Sequence, residues 1–119
     1  MAKILVVDDS LLQRMNLNRF YSSQGHKVVE AENGDIAIKL IEEQDFDLVT
    51  LDLLMPNVTG IDVLMHFHKK ADTPPIIILT ADIQSAVFEE CKQYGCTDFL
   101  NKPIQADELF SVTNKILGL

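Results

Sequence analysis

Five short apolar runs, separated by stretches with helical periodicity, leave this chain few folds to choose from. The runs are KILVV (3–7), KVVEA (27–31), DLVTL (47–51), PIIIL (75–79) and TDFLN (97–101). Each has the length of an ordinary strand. Residues 11–23 carry Leu12, Met15 and Phe20. Residues 35–44 carry Ile36, Ala37, Leu40 and Ile41. Residues 60–70 carry Ile61, Leu64, Met65 and Phe67. Residues 83–94 carry Val87, Cys91 and Tyr94, and residues 106–117 carry Leu109, Val112 and Ile116. These spacings suit one face of a helix in each segment. Gly25 and Gly95 follow the first and fourth segments, where a left-handed stop suits glycine. Strict alternation of strand and helix implies a parallel sheet covered on both faces. The first, third and fourth runs are apolar almost throughout and belong at its centre. The second and fifth carry Glu30 and Asp98 and belong at its edges. Right-handed crossovers then favour a doubly wound five-stranded α/β sheet in the order 2-1-3-4-5, formed as one domain over residues 1–119.

In such a sheet a site forms at the carboxyl ends of the strands, near the switch point between strands 1 and 3. The first strand runs into adjacent acids, Asp8 and Asp9, whose like charges repel. Strand 3 ends in Asp52, strand 4 in Thr80, and strand 5 is followed by Lys102-Pro103. Three carboxylates against one ammonium leave two excess negative charges, which one divalent cation cancels. Oxygen ligands without His or Cys suit Mg²⁺ or Mn²⁺. Mg²⁺ keeps several waters and is held by one or two carboxylates together with phosphate oxygens. A metal, a carboxylate, a hydroxyl and a lysine also make a phosphoryl-transfer site, with Asp52 available as nucleophile.

The stretches VVDDS, VVEAENGDIAI, DLVTLDLLMPNVTGIDVL, PIIILTA and YGCTDFLNKPI, together with Arg14, cover nearly the whole chain in order. On them the chain resembles the receiver domain of bacterial two-component response regulators, in its single-domain, chemotaxis-regulator-like form. The resemblance implies a flavodoxin-like (βα)5 fold and a phosphoacceptor that is not an enzyme in its own right. Asp52 is then the acceptor of phosphoryl from a phosphohistidine on a histidine kinase or histidine phosphotransfer protein. Asp9, Asp52 and the backbone carbonyl of Leu54 are the implied Mg²⁺ ligands, with Asp8 acting directly or through water. Lys102 and Thr80 are implied to bind the phosphoryl oxygens, and Phe99 to be the aromatic that swings inward when Thr80 moves. A cis Lys102–Pro103 peptide is expected. The side chains of Leu54 and Asp82 are implied to flank the path of the attacking water. Leucine cannot hydrogen-bond that water, whereas Asp82 can, although its charge also repels anionic donors; loss of the phosphoryl group is expected to be slower than with an amide at position 54. The family pattern is broken at Thr59, where an aspartate is usual before the glycine. The chain stops after the fifth helix, so it is expected either to pass its message by contact with a downstream target protein through helix 4, strand 5 and helix 5, or to pass the phosphoryl group onward.

The formal net charge of −8 argues against a nucleic-acid surface or an anionic membrane as direct partner. No apolar run approaches the roughly 18 residues of a span. The opening MAKILVVDD turns acidic too soon for a signal peptide, and a cytoplasmic location is expected. Cys91 and Cys96 read as reduced thiols on small, buried positions rather than a redox pair. His26, His66 and His68 lack zinc-ligand spacing and read as surface or boundary residues. Phe88 lies about 100° from the face of Val87, Cys91 and Tyr94, which would leave it half-exposed beside Phe99.

Three other functions compete. A Mg²⁺-dependent aspartyl-phosphate phosphatase of the haloacid-dehalogenase type needs a second acid two residues past the nucleophile, where Leu54 stands. A flavin carrier needs a phosphate cradle where DDSLLQ is acidic. A phosphorylation-independent pseudo-receiver would not need the intact acid set.

Overall fold

The computed structural model describes residues 1–81 and 84–119. Its elements alternate as expected: β1 (Lys3–Val7), α1 (Leu11–Ser22), β2 (Lys27–Ala31), α2 (Gly34–Glu43), β3 (Leu48–Asp52), α3 (Gly60–Phe67), β4 (Ile76–Thr80), α4 (Ser85–Gln93), β5 (Asp98–Asn101) and α5 (Ala106–Leu117). The strands pair in the order β2-β1-β3-β4-β5, all parallel. No helix among the described residues is long and apolar enough to cross a membrane.

Successive side chains of a strand point to opposite faces, so each central strand feeds two cores. Ile4 and Val6 of β1 pack with Leu17 and Tyr21 of α1 and Leu109 of α5. Leu5 and Val7 pack with Ala37, Val63, Leu64 and Cys91 on the α2, α3 and α4 side. Every residue of β3 and β4 is buried, whereas β2 and β5 remain partly open at the edges. Gly25 and Gly95 adopt φ of 86° and 88°, the left-handed stops expected of them.

The helical stripes differ from expectation in two places. Leu12 and Met15 of α1 face solvent, while Leu17 and Tyr21 carry its buried face and Phe20 lies between. Tyr21 is fully buried because its hydroxyl shares a 2.8 Å hydrogen bond with the hydroxyl of buried Thr113 in α5. In α3, Met65 is exposed and Val63 takes the buried position. Of the histidines, His66 and His68 are half-exposed, but His26 is buried. Its Nδ1 accepts from the backbone N–H of Ala2 at 3.0 Å, and its ring meets Tyr21 edge-on. Burial, reinforced by the nearby N-terminal charge, pushes the His26 imidazole below its ordinary pKa, with Asp47 opposing. Both cysteines are free thiols, Cys91 buried and Cys96 half-buried.

Among the described residues, two buried side-chain atoms lack a hydrogen-bond partner, Gln24 Oε1 and the Thr50 hydroxyl. The Thr50 hydroxyl, in the middle of β3, is fully buried and makes no hydrogen bond. Valine has nearly the same shape and suits a strand. Thr50→Val is therefore expected to raise stability by about 1 kcal/mol, the cost of an unmade buried hydrogen bond. A denaturant melt with unchanged slope checks it; a destabilised variant would show that the hydroxyl is satisfied in solution.

Candidate functional site

Parallel pairing brings the strand ends level with one another. The β1–β3 ladder ends at Val7 opposite Leu51, Asp52 pairs with Leu79, and Thr80 pairs with Asn101. Asp8, Asp52, Thr80 and Lys102 therefore emerge side by side along one rim. One carboxylate oxygen from each of Asp8, Asp9 and Asp52 lies within 4.8 Å of the others.

Each side chain is held by its local structure. Asp8 is buried, and its Oδ1 accepts from the Ser10 N–H at 2.9 Å. Ser10 in turn caps α1 by accepting from the Gln13 N–H. Asp52 is buried, and its Oδ1 accepts from the Leu54 N–H at 3.1 Å. Lys102 reaches between the acids, with Nζ 3.0 Å from Asp8 Oδ2 and 3.4 Å from Asp52 Oδ2. Its backbone N–H donates to the Thr80 carbonyl at 2.7 Å, and its peptide to Pro103 is cis. Asp9 is exposed and leaves the cluster open to solvent on its side.

The electrostatics leave the cluster with net negative charge. Burial pushes the Asp52 carboxyl above the usual carboxylate range, and Asp8 adds to this; Lys102 and the Leu54 N–H oppose it. One ammonium against three carboxylates does not compensate the cluster. An all-oxygen donor set, two members buried and one open to water, suits a hard cation that keeps part of its hydration shell. The residues present fit Mg²⁺.

The remaining expected residues surround this rim. The Leu54 side chain is exposed beside it, 58% accessible. Thr80 is fully buried at the end of β4. Phe99 of β5 is half-buried and meets Phe88 of α4 edge-on, with ring centroids 5.2 Å apart. Phe88 itself is 38% exposed, half-open as its spacing suggests, and Lys92 lies over its ring. Asp82 lies outside the described residues.

Two features escaped the reading from sequence. Thr59, where the family pattern is broken, caps α3, and Asp62 returns the bond in a reciprocal capping box. The T-x-x-D spacing signals this arrangement. Gly60, the first residue of α3, sits against the end of β3 so closely that a Cβ would lie 2.5 Å from the Asp52 carbonyl oxygen. Only a glycine directly after a capping threonine hinted at that approach.

Comparison with known proteins agrees with this geometry. Residues 4–114 match the family model described as the response regulator receiver domain. The chain is 34% identical over 120 residues to the protein PilH of Pseudomonas aeruginosa, covering 99% of each. It is 37% identical over 117 residues to the chemotaxis protein CheY of Bacillus subtilis, covering 98% of each. Among solved structures, the response regulator TrrA of Thermotoga maritima, in complex with Mg²⁺ and BeF, superposes with a TM-score of 0.87 at 33% identity, covering 98% of this chain and 100% of that one.

Proposed function

The chain belongs to the response regulator receiver domain family, and on that premise we propose that residues 1–119 form one phosphoacceptor module in which Asp52 takes a phosphoryl group from a phosphohistidine partner. The observation that carries this reading is the juxtaposition of Asp52, at the end of the central strand, with Asp8, Asp9 and Lys102. In the transfer the N–P bond of the donor breaks and an O–P bond to an Asp52 carboxylate oxygen forms. Asp8, Asp9, Asp52 and the Leu54 carbonyl would hold Mg²⁺, or Mn²⁺ in its place. When bound, the metal neutralises charge on the phosphoryl oxygens. Lys102 supplies a second positive charge at the same rim, and Thr80 a hydroxyl for a phosphoryl oxygen. The donor is a histidine kinase or a histidine phosphotransfer protein. The output is contact with a target protein rather than catalysis or nucleic-acid binding, in keeping with the net charge of −8. Intact-mass measurement after incubation with acetyl phosphate and Mg²⁺ tests the reading: one phosphoryl group is expected per chain, and none would sink it.

Two further outcomes follow. Removing one acid relieves repulsion in the cluster, so Asp9→Ala should melt higher than the parent without metal. It should also lose most of the Mg²⁺-dependent rise in Tm, because stabilisation by a ligand grows with the logarithm of its concentration relative to Kd. An unchanged Mg²⁺ response in Asp9→Ala contradicts the ligand assignment. At the output face, Thr80 drawn toward the phosphoryl group vacates space that Phe99 can fill, which biases a two-state surface. Phe88 borders that aromatic. Phe88→Ala should weaken binding of the target while leaving phosphorylation of Asp52 at the parental rate. Loss of both together would mean a damaged core.

A further inference from the structure

The peptide unit joining Asp8 to Asp9 has an acceptor that the sheet does not serve. Pairing of β1 with β2 ends at Val7 opposite Ala31, and the Asp8 N–H still reaches the Ala31 carbonyl at 3.2 Å. The Asp8 carbonyl lies one step beyond the ladder on a buried residue, where an unpaired acceptor is costly. Arg14, one turn into α1, fills that need: its Nη1 donates to the Asp8 carbonyl at 2.7 Å. Its Nε donates to Glu30 Oε1 at 3.2 Å, and Asn18 Nδ2 holds Glu30 Oε2 at 2.8 Å. The Arg14 side chain is only 11% exposed. A guanidinium can serve two separate acceptors from one rigid plane, which a lysine cannot.

We propose that Arg14, braced by Glu30 and Asn18, is a positioning residue for the cation site: it fixes the plane of the Asp8–Asp9 peptide and thereby aims both carboxylates at one point. The peptide is planar, so anchoring its oxygen sets where both flanking Cα atoms stand and the directions from which the two side chains leave. Glu30 neutralises the guanidinium, so the Arg14–Glu30 pair adds no net charge beside the acids. The effect is one of geometry, and its sign separates it from electrostatics. Loss of a positive charge near three carboxylates would strengthen cation binding; loss of the brace weakens it.

The inference rests on the reading of the acid cluster as a Mg²⁺ site. The double variant Arg14→Gln/Glu30→Gln keeps the net charge and removes the brace. Melting the parent and the variant across a Mg²⁺ titration gives, through the logarithmic dependence of stability on the ratio of free Mg²⁺ to Kd, the Mg²⁺ concentration at the midpoint of site occupancy. That midpoint is expected to rise about tenfold, the lower end of what outer partners of metal ligands contribute. A merely structural role lowers Tm at every Mg²⁺ concentration and leaves the midpoint unmoved, and that result overturns the proposal. Should the double variant fail to fold, Asn18→Ala frees Glu30 Oε2, at the cost only of one exposed bond from Ser22, and is expected to shift the midpoint in the same direction by less; an unmoved midpoint there overturns it equally. A parent protein without any Mg²⁺ response overturns the cation-site reading itself, and this proposal with it.

Discussion

Asp52→Asn is expected to take up no phosphoryl group from acetyl phosphate under conditions that label the parent chain fully. The amide cannot act as the nucleophile, yet its shape keeps an oxygen for the Leu54 N–H and leaves Lys102 its shorter contact to Asp8. The variant should therefore fold, and it should do more than fold. Burial holds the Asp52 carboxyl above its ordinary pKa, so the folded chain binds that proton more tightly than the unfolded chain does. Stability attributable to this group is then greatest in acid and declines as pH rises from the unfolded value through the folded one. Asparagine has no such dependence. At neutral pH without metal the variant is expected to melt higher than the parent, and the gap should close as the pH falls below the ordinary carboxylate range. Intact-mass spectra and paired melts at several pH values read both effects. Undiminished labelling of the variant would move the acceptor elsewhere.

Gly60→Ala is expected to be severely damaging for the addition of a single methyl group. Inside a helix, alanine in place of glycine ordinarily helps by about 0.5–1 kcal/mol. Here the added Cβ would stand 2.5 Å from the Asp52 carbonyl oxygen and 2.7 Å from the Leu53 Cα. Both are backbone atoms, so no rotamer change relieves the clash, and the Gly60 N–H bond to the Leu53 carbonyl ties the two segments together. Either α3 moves away from the sheet or the end of β3 moves with it. A net loss of about 2–3 kcal/mol is expected, the scale of overpacking. Because the displaced strand end carries Asp52, labelling by acetyl phosphate should also slow. Equilibrium unfolding and the rate of labelling check the two consequences. Unchanged stability would mean that α3 can shift freely against the sheet.

The strand order and the acids at the rim were legible in the sequence for one physical reason. Apolar runs of strand length alternate with helical spacing, and parallel crossovers of fixed hand admit few orders. Once the order is known, the last residue of each strand must come out on the same side. Asp8, Asp9, Asp52, Thr80 and Lys102 could thus be placed together without coordinates, and the half-open position of Phe88 followed from its offset on α4.

The tertiary structure alone decided which polar groups could enter the core and which apolar ones had to stay out. In α1, leucine and methionine occur on more than one side, so spacing did not say that Leu17 and Tyr21 rather than Leu12 and Met15 meet the sheet. Tyr21 is admitted by a hydroxyl 92 positions away, and His26 by an amide 24 positions away. Arg14 grips Asp8 and Glu30 at once because β2 lies beside β1, and Gly60 is required because α3 starts against the end of β3. Periodicity reports only how a residue relates to its near neighbours along the chain. A hydrogen bond or a steric limit between distant segments exists only after the sheet has brought them together.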